Sequence, residues 1–114
     1  MRILESVNLL EKERECVLRA SDVLKSKLPV ARVILFGSKA RGSGSADSDI
    51  DLLVLTLCPV SRRLRGAISE RLAEINLEND VCLASVVVSQ EDWESGLVHY
   101  TLIHSEVERD GCEV

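Results

Sequence analysis

Two aspartates one residue apart, Asp49 and Asp51, stand at the start of an otherwise apolar run that continues Leu52-Leu53-Val54-Leu55-Thr56. In a strand, side chains alternate, so both carboxylates project from one face while Ile50 and Leu52 point the other way into a core. Two neighbouring carboxylates repel, which raises the cost of ionising both. A divalent cation between them removes that cost. Mg²⁺ favours one or two carboxylates completed by phosphate oxygens and water, so the pair suits a metal–triphosphate complex.

Ten residues separate Asp49 from Gly37-Ser38, which directly follows a β-branched run. Glycine lets a backbone come close to a phosphate without a Cβ in the way. If residues 38–42 begin a helical turn, their free amides point at that phosphate. Ser38 adds a hydroxyl donor, and Arg41 offers a guanidinium to a phosphate or to one of the aspartates. Lys39 reads either as a phosphate ligand or as part of a solvated loop. An Asp-x-Asp alone, or a Gly-Ser alone, is usually a strand edge or a turn. Their succession on consecutive core-like strands is what points to chemistry.

The elements that must carry these groups follow from periodicity. Residues 3–28 predict an amphipathic helix, with Ile3, Val7, Leu10, Val17, Ala20, Leu24 and Leu28 inward, ended by Pro29. Residues 30–36 predict a buried strand and residues 49–56 a second. Residues 61–77 predict a helix, with Leu64, Ala67, Ile68, Leu72 and Ile75 on its inner face and Leu77 a further candidate for it. Residues 81–88 predict a third strand. Ser89, three residues before Asp92, reads as a cap opening a short helix that carries Trp93. Residues 97–109 predict a last helix, with Leu97, Tyr100 or Thr101, Ile103 or His104, and Val107 inward and Gly111 closing it; residues 112–114 fit an edge strand. Trp93 and Tyr100 read as core aromatics. His99 and His104 are off the i, i+4 spacing of a metal pair, and Arg62, Arg63 and Arg65 read as a solvated helix face. The order predicts one α/β domain over residues 1–114, with a small sheet backed by helices.

Composition narrows the partners. The chain has 114 residues, 46% hydrophobic and 29% charged, which favours a globular fold over disorder. Only Phe36, Trp93 and Tyr100 are aromatic, and 14 basic residues against 19 acidic ones leave a net charge of −5. Both facts argue against a nucleic-acid coat, which needs positive charge and stacking rings. Cys16, Cys58, Cys82 and Cys112 form no Cys-x-x-Cys pair, so we expect reduced thiols, most of them buried. The charged N-terminus is not a signal peptide, and no run is long and apolar enough to span a membrane. A cytoplasmic protein is the expectation.

The string Gly37-Ser38-Lys39-Ala40-Arg41-Gly42, followed by Ser48-Asp49-Ile50-Asp51-Leu52, resembles the signature of the DNA polymerase beta superfamily of nucleotidyltransferases. Its finer form is similar to the minimal single-domain nucleotidyltransferases encoded beside a HEPN-domain partner. The resemblance implies the nucleotidyltransferase fold, an α/β (α+β) domain with a small mixed sheet. It implies that Gly37 and Ser38 hold triphosphate oxygens, joined by Arg41 and Ser48, and that Asp49 and Asp51 bind one or two Mg²⁺. It also implies transfer of a nucleoside monophosphate, AMP, from ATP or another NTP to an acceptor hydroxyl, which in that family can belong to a HEPN toxin. The same fold can act instead as an antitoxin by contact alone. No separate substrate domain fits in this length, so a partner or a second protomer of a homo-oligomer must bring the acceptor. The family usually carries a third carboxylate on the next strand. Residues 83–85 hold none, and Asp80 is the nearest candidate, either as the third catalytic acid or simply as the start of the strand.

Overall fold

In the computed structural model, residues 1–45 and 47–114 are described. A five-stranded mixed sheet forms the middle layer, in the order β1-β5-β2-β3-β4. Its strands are β1 (Arg2–Ile3), β2 (Val30–Phe36), β3 (Ile50–Thr56), β4 (Leu83–Ser89) and β5 (Cys112–Glu113). The helices are α1 (Glu11–Lys27), α2 (Gly37–Arg41), α3 (Arg62–Asn79), α4 (Gln90–Ser95) and α5 (Leu102–Asp110), with 3-10 turns at Leu4–Ser6 and Leu97–Tyr100. Strands β2 and β3 pair antiparallel, with Phe36 opposite Asp51. Strands β3 and β4 pair parallel, joined through α3, with Asp51 opposite Ala84.

Alternation along β2 and β3 sorts the core into two. Val33, Leu35, Ile50, Leu52 and Val54 face α1 and α3 and pack with Val17, Leu24, Ile68 and Leu72. Ile34, Phe36, Leu53 and Leu55 face the other way and pack with Trp93 and Val107 from α4 and α5. Both faces of the central strands are therefore covered, which is why they read as continuous apolar runs. Asp51, in phase with Leu53 and Leu55, lies on the face of α4 and α5.

Several expectations are corrected. The helix expected over residues 3–28 begins only at Glu11. Leu10 is its N-cap, and the Glu13 carboxylate reaches back to accept the Leu10 amide at 3.0 Å. The residues before it form β1 and a turn, leaving Ile3 and Leu10 exposed. The sheet has five strands, β1 being the unexpected one, and residues 112–113 form a strand but not its edge. They pair with β2 on one side and with β1 on the other. The last helix begins at Leu102 rather than 97. The 3-10 turn before it turns Leu97 and Tyr100 outward, each more than 80% exposed, so Tyr100 is not a core aromatic whereas Trp93 is. All four cysteines are free, but only Cys16 and Cys112 are buried. Ser89 does cap α4, accepting the amide of Asp92 at 3.1 Å. No helix among the described residues is long and apolar enough to cross a membrane.

Candidate functional site

The site is assembled where β2 ends, α2 begins and β3 starts. Phe36 is extended, and Gly37 then turns the chain with φ +77, a conformation that favours glycine. A second constraint falls on the same residue, because a Cβ on Gly37 would collide with Oδ2 of Asp51. The backbone of the Gly-Ser turn thus lies directly against the Asp51 carboxylate. Residues 37–41 then form the short helix α2, closed by Gly42 at φ 76. The return loop folds back over it, with the amides of Ser43 and Gly44 both donating to the Ser38 carbonyl at 3.0 and 3.2 Å.

Asp49 is exposed and sits one residue before β3; Asp51 is half-buried within it. Neither side chain lies in the apolar core. The Asp51 carboxyl is pushed above the usual carboxylate range by burial first, then by the charges of Asp49 and Glu106, with Arg41 opposing. Burial disfavours the charged form, and the neighbouring carboxylates add repulsion to it. Cys82 stands next to Asp49: a hydrogen bond to that carboxylate, then burial and the charges of Asp49 and Asp51, push its thiol up. Among the described residues, no group of three or more His, Cys, Asp or Glu is placed to hold a metal. The donor set is two carboxylates at the start of β3, one just before the strand and one within it, which fits a hard cation that takes its remaining ligands from phosphate and water.

Gly37, Ser38, Asp49 and Asp51 are brought together as the sequence implied. The other candidates are placed less directly. Arg41 donates to Glu106 of α5 at 2.9 Å, both side chains being partly exposed. Ser48 has its hydroxyl in the turn before β3, accepting the Ser45 amide at 2.9 Å. Lys39 is neither a solvated residue nor turned to the site. It is buried, with its ammonium 2.7 Å from Glu13 Oε2. Asp80 is not part of the strand, which begins at Leu83. It is the exposed C-cap of α3, with φ 52, and lines a cavity with Lys12, Asp47 and Ser48. In the β3–β4 register, Asp51 lies opposite Ala84, so the place beside it on β4 carries a methyl group. Glu13 and Glu106 are the participants that sequence reasoning missed. Both are charged residues within helices, and nothing local signals their distant partners.

Comparison with known proteins gives concordant results. The model of the nucleotidyltransferase domain family matches residues 17–110. A protein of Methanocaldococcus jannaschii that carries the name "Putative protein adenylyltransferase MJ0141" is 30% identical over 114 residues, covering the whole of both chains. Among solved structures, a crystal structure of a toxin–antitoxin with AMP-PNP superposes with TM-score 0.60 at 20% identity, covering 91% of this chain and 72% of the other. A mutant MntA–HpeT toxin–antitoxin pair superposes with TM-score 0.57 at 21% identity, covering 94% and 72%. These structures share the fold. With the family match spanning most of the chain, and with Gly37-Ser38 and Asp49-Ile50-Asp51 converging on one site, the chain belongs to the nucleotidyltransferase domain family.

Proposed function

We propose that this chain binds ATP with Mg²⁺ across Gly37, Ser38, Asp49 and Asp51, and transfers AMP to a hydroxyl on a protein. The observation that carries the reading is the contact of the Gly37 backbone with Asp51, which sets phosphate-type and metal-type ligands side by side. Asp49 and Asp51 would hold the cation, which neutralises the triphosphate and polarises its α-phosphate. The turn at 37–38 and the Ser38 hydroxyl would hold the outer phosphates. The acceptor oxygen then attacks the α-phosphorus, the α–β bridge breaks, and pyrophosphate leaves. The hydroxyl proton goes to solvent, because β4 offers no carboxylate beside Asp51. The relative from Methanocaldococcus jannaschii carries an adenylyltransferase name, and the superposed structures are toxin–antitoxin pairs. Both support a protein acceptor, for which a HEPN-type toxin is the choice.

The test is incubation of the chain with α-labelled ATP, Mg²⁺ and a HEPN-type protein encoded beside it. We expect label on that protein, and none with Asp49→Asn/Asp51→Asn. A second reading is favoured by Ala84: without a strand carboxylate the chain could bind its partner and ATP without transfer. A tight complex that never takes up label would select that reading.

A further inference from the structure

We propose that Glu13 is a positioning residue of the phosphate-binding turn, acting through Lys39; the inference rests on the proposed binding of ATP at residues 37–38. Helix α2 has five residues and few internal hydrogen bonds, so its own backbone cannot fix how Ser38 is presented. Its orientation must come from what it is tied to. Side chains tie it at three points. Arg2 donates to the Ala40 carbonyl. Arg41–Glu106 is partly exposed and therefore screened by solvent. The buried ion pair is Lys39–Glu13, at 2.7 Å, with side chains only 6% and 8% exposed.

The Glu13 end of this tie is itself held. One carboxylate oxygen accepts the Leu10 amide while the other takes the Lys39 ammonium. Arg14, the next residue, donates to the carbonyls of Leu4 and Val7 at 2.7 and 2.8 Å and fixes the chain before α1. The Lys39 end is packed from the opposite side. A Cβ on Gly44 would come within 3.0 Å of Ser38 Oγ and 3.2 Å of Lys39 Cδ, so the return loop clamps the same two residues.

A buried ion pair gains little stability over apolar residues of the same volume. What it adds is direction, because the buried ammonium must meet the Glu13 carboxylate, and that contact fixes which way α2 faces. The pair also keeps the Lys39 ammonium withdrawn from the triphosphate. Its function is thus registry, and registry is lost when packing is kept and charge is removed.

Two variants test this, Glu13→Gln and the double Glu13→Leu/Lys39→Met, by melting, by calorimetry with ATP and Mg²⁺, and by amide hydrogen exchange of residues 37–44. We expect Glu13→Gln to melt lower and to speed exchange in residues 37–44 relative to those of β3. We expect the double variant to melt above Glu13→Gln, because no buried charge is left unpaired, and below the parent by the lost Leu10 cap bond, yet to bind ATP about tenfold more weakly. A double variant that regains both melting temperature and affinity would overturn the inference, as would unchanged exchange of residues 37–44 in Glu13→Gln. Should the double variant not fold, the exchange of Glu13→Gln decides alone. Failure of the parent itself to bind ATP with Mg²⁺ would remove the proposed function, while the exchange result still answers whether Glu13 orders the turn.

Discussion

At the level of single residues, the site depends on Gly37 more than on any donor. Its φ of +77 would cost an alanine about 1–2 kcal/mol, and the Cβ would also strike Asp51. Gly37→Ala should therefore lower stability by at least that amount in chemical denaturation and abolish ATP binding in calorimetry. Asp51 makes a different kind of statement. Its carboxyl is raised from 3.8, so the metal-free folded state holds that proton more tightly than the unfolded chain does. The associated stability is present in full below the ordinary value of 3.8 and is lost as pH rises through the raised one. Asp51→Asn should thus melt above the parent at pH 7 in the absence of metal, because burial and repulsion of the charge are relieved. The difference should shrink as pH falls toward 3.8; a gap that is constant with pH would separate Asp51 from this cause.

Among the elements, the β3–β4 register decides which acids belong to the site. Ala84 lies beside Asp51, while Asp80 caps α3 in a left-handed conformation that asparagine adopts as readily. Asp80→Asn should leave melting within about 0.5 kcal/mol of the parent and any transfer rate unchanged. Ala84→Asp should supply the missing strand carboxylate, raising the rate of label transfer with Mg²⁺ and lowering the melting temperature without it. An inert Ala84→Asp together with an Asp80→Asn that loses activity would reverse this assignment. The three long strands and the aspartate pair were legible because buried strands are apolar on both faces and the pair interrupts the start of one of them. What was not legible depends on distant contacts. Strands β1 and β5 have two residues each, too few for a period, and form only because β5 pairs with both β1 and β2. The start of α1 was hidden because a leucine is its N-cap, and the reciprocal bond comes from Glu13 three residues on. Leu97 and Tyr100 misled because apolar residues near a helix imply burial, whereas a 3-10 turn there leaves both in solvent.

For the molecule as a whole, the proposed function makes charge decide how a nucleotide arrives. A net charge of −5 and two carboxylates at the candidate site oppose a free triphosphate, whereas Mg²⁺ held at Asp49 and Asp51 would reverse the sign of the encounter. ATP and Mg²⁺ should therefore bind as linked ligands, each poor without the other. A ligand bound only by the folded state stabilises it by about 2.7 kcal/mol at a hundred times its Kd. For a domain near this length, each kcal/mol moves the melting midpoint by about 4 °C, so Mg²⁺ with ATP at that excess should raise it by roughly 10 °C. Mg²⁺ alone should raise it slightly, by relieving the repulsion between Asp49 and Asp51, and ATP with a chelator should not raise it. Asp49→Asn/Asp51→Asn should show none of these responses while retaining its fold. An equal rise with ATP whether or not Mg²⁺ is present would place the nucleotide away from the aspartates, on the helix side of the 37–38 turn, and would separate triphosphate binding from the carboxylate pair.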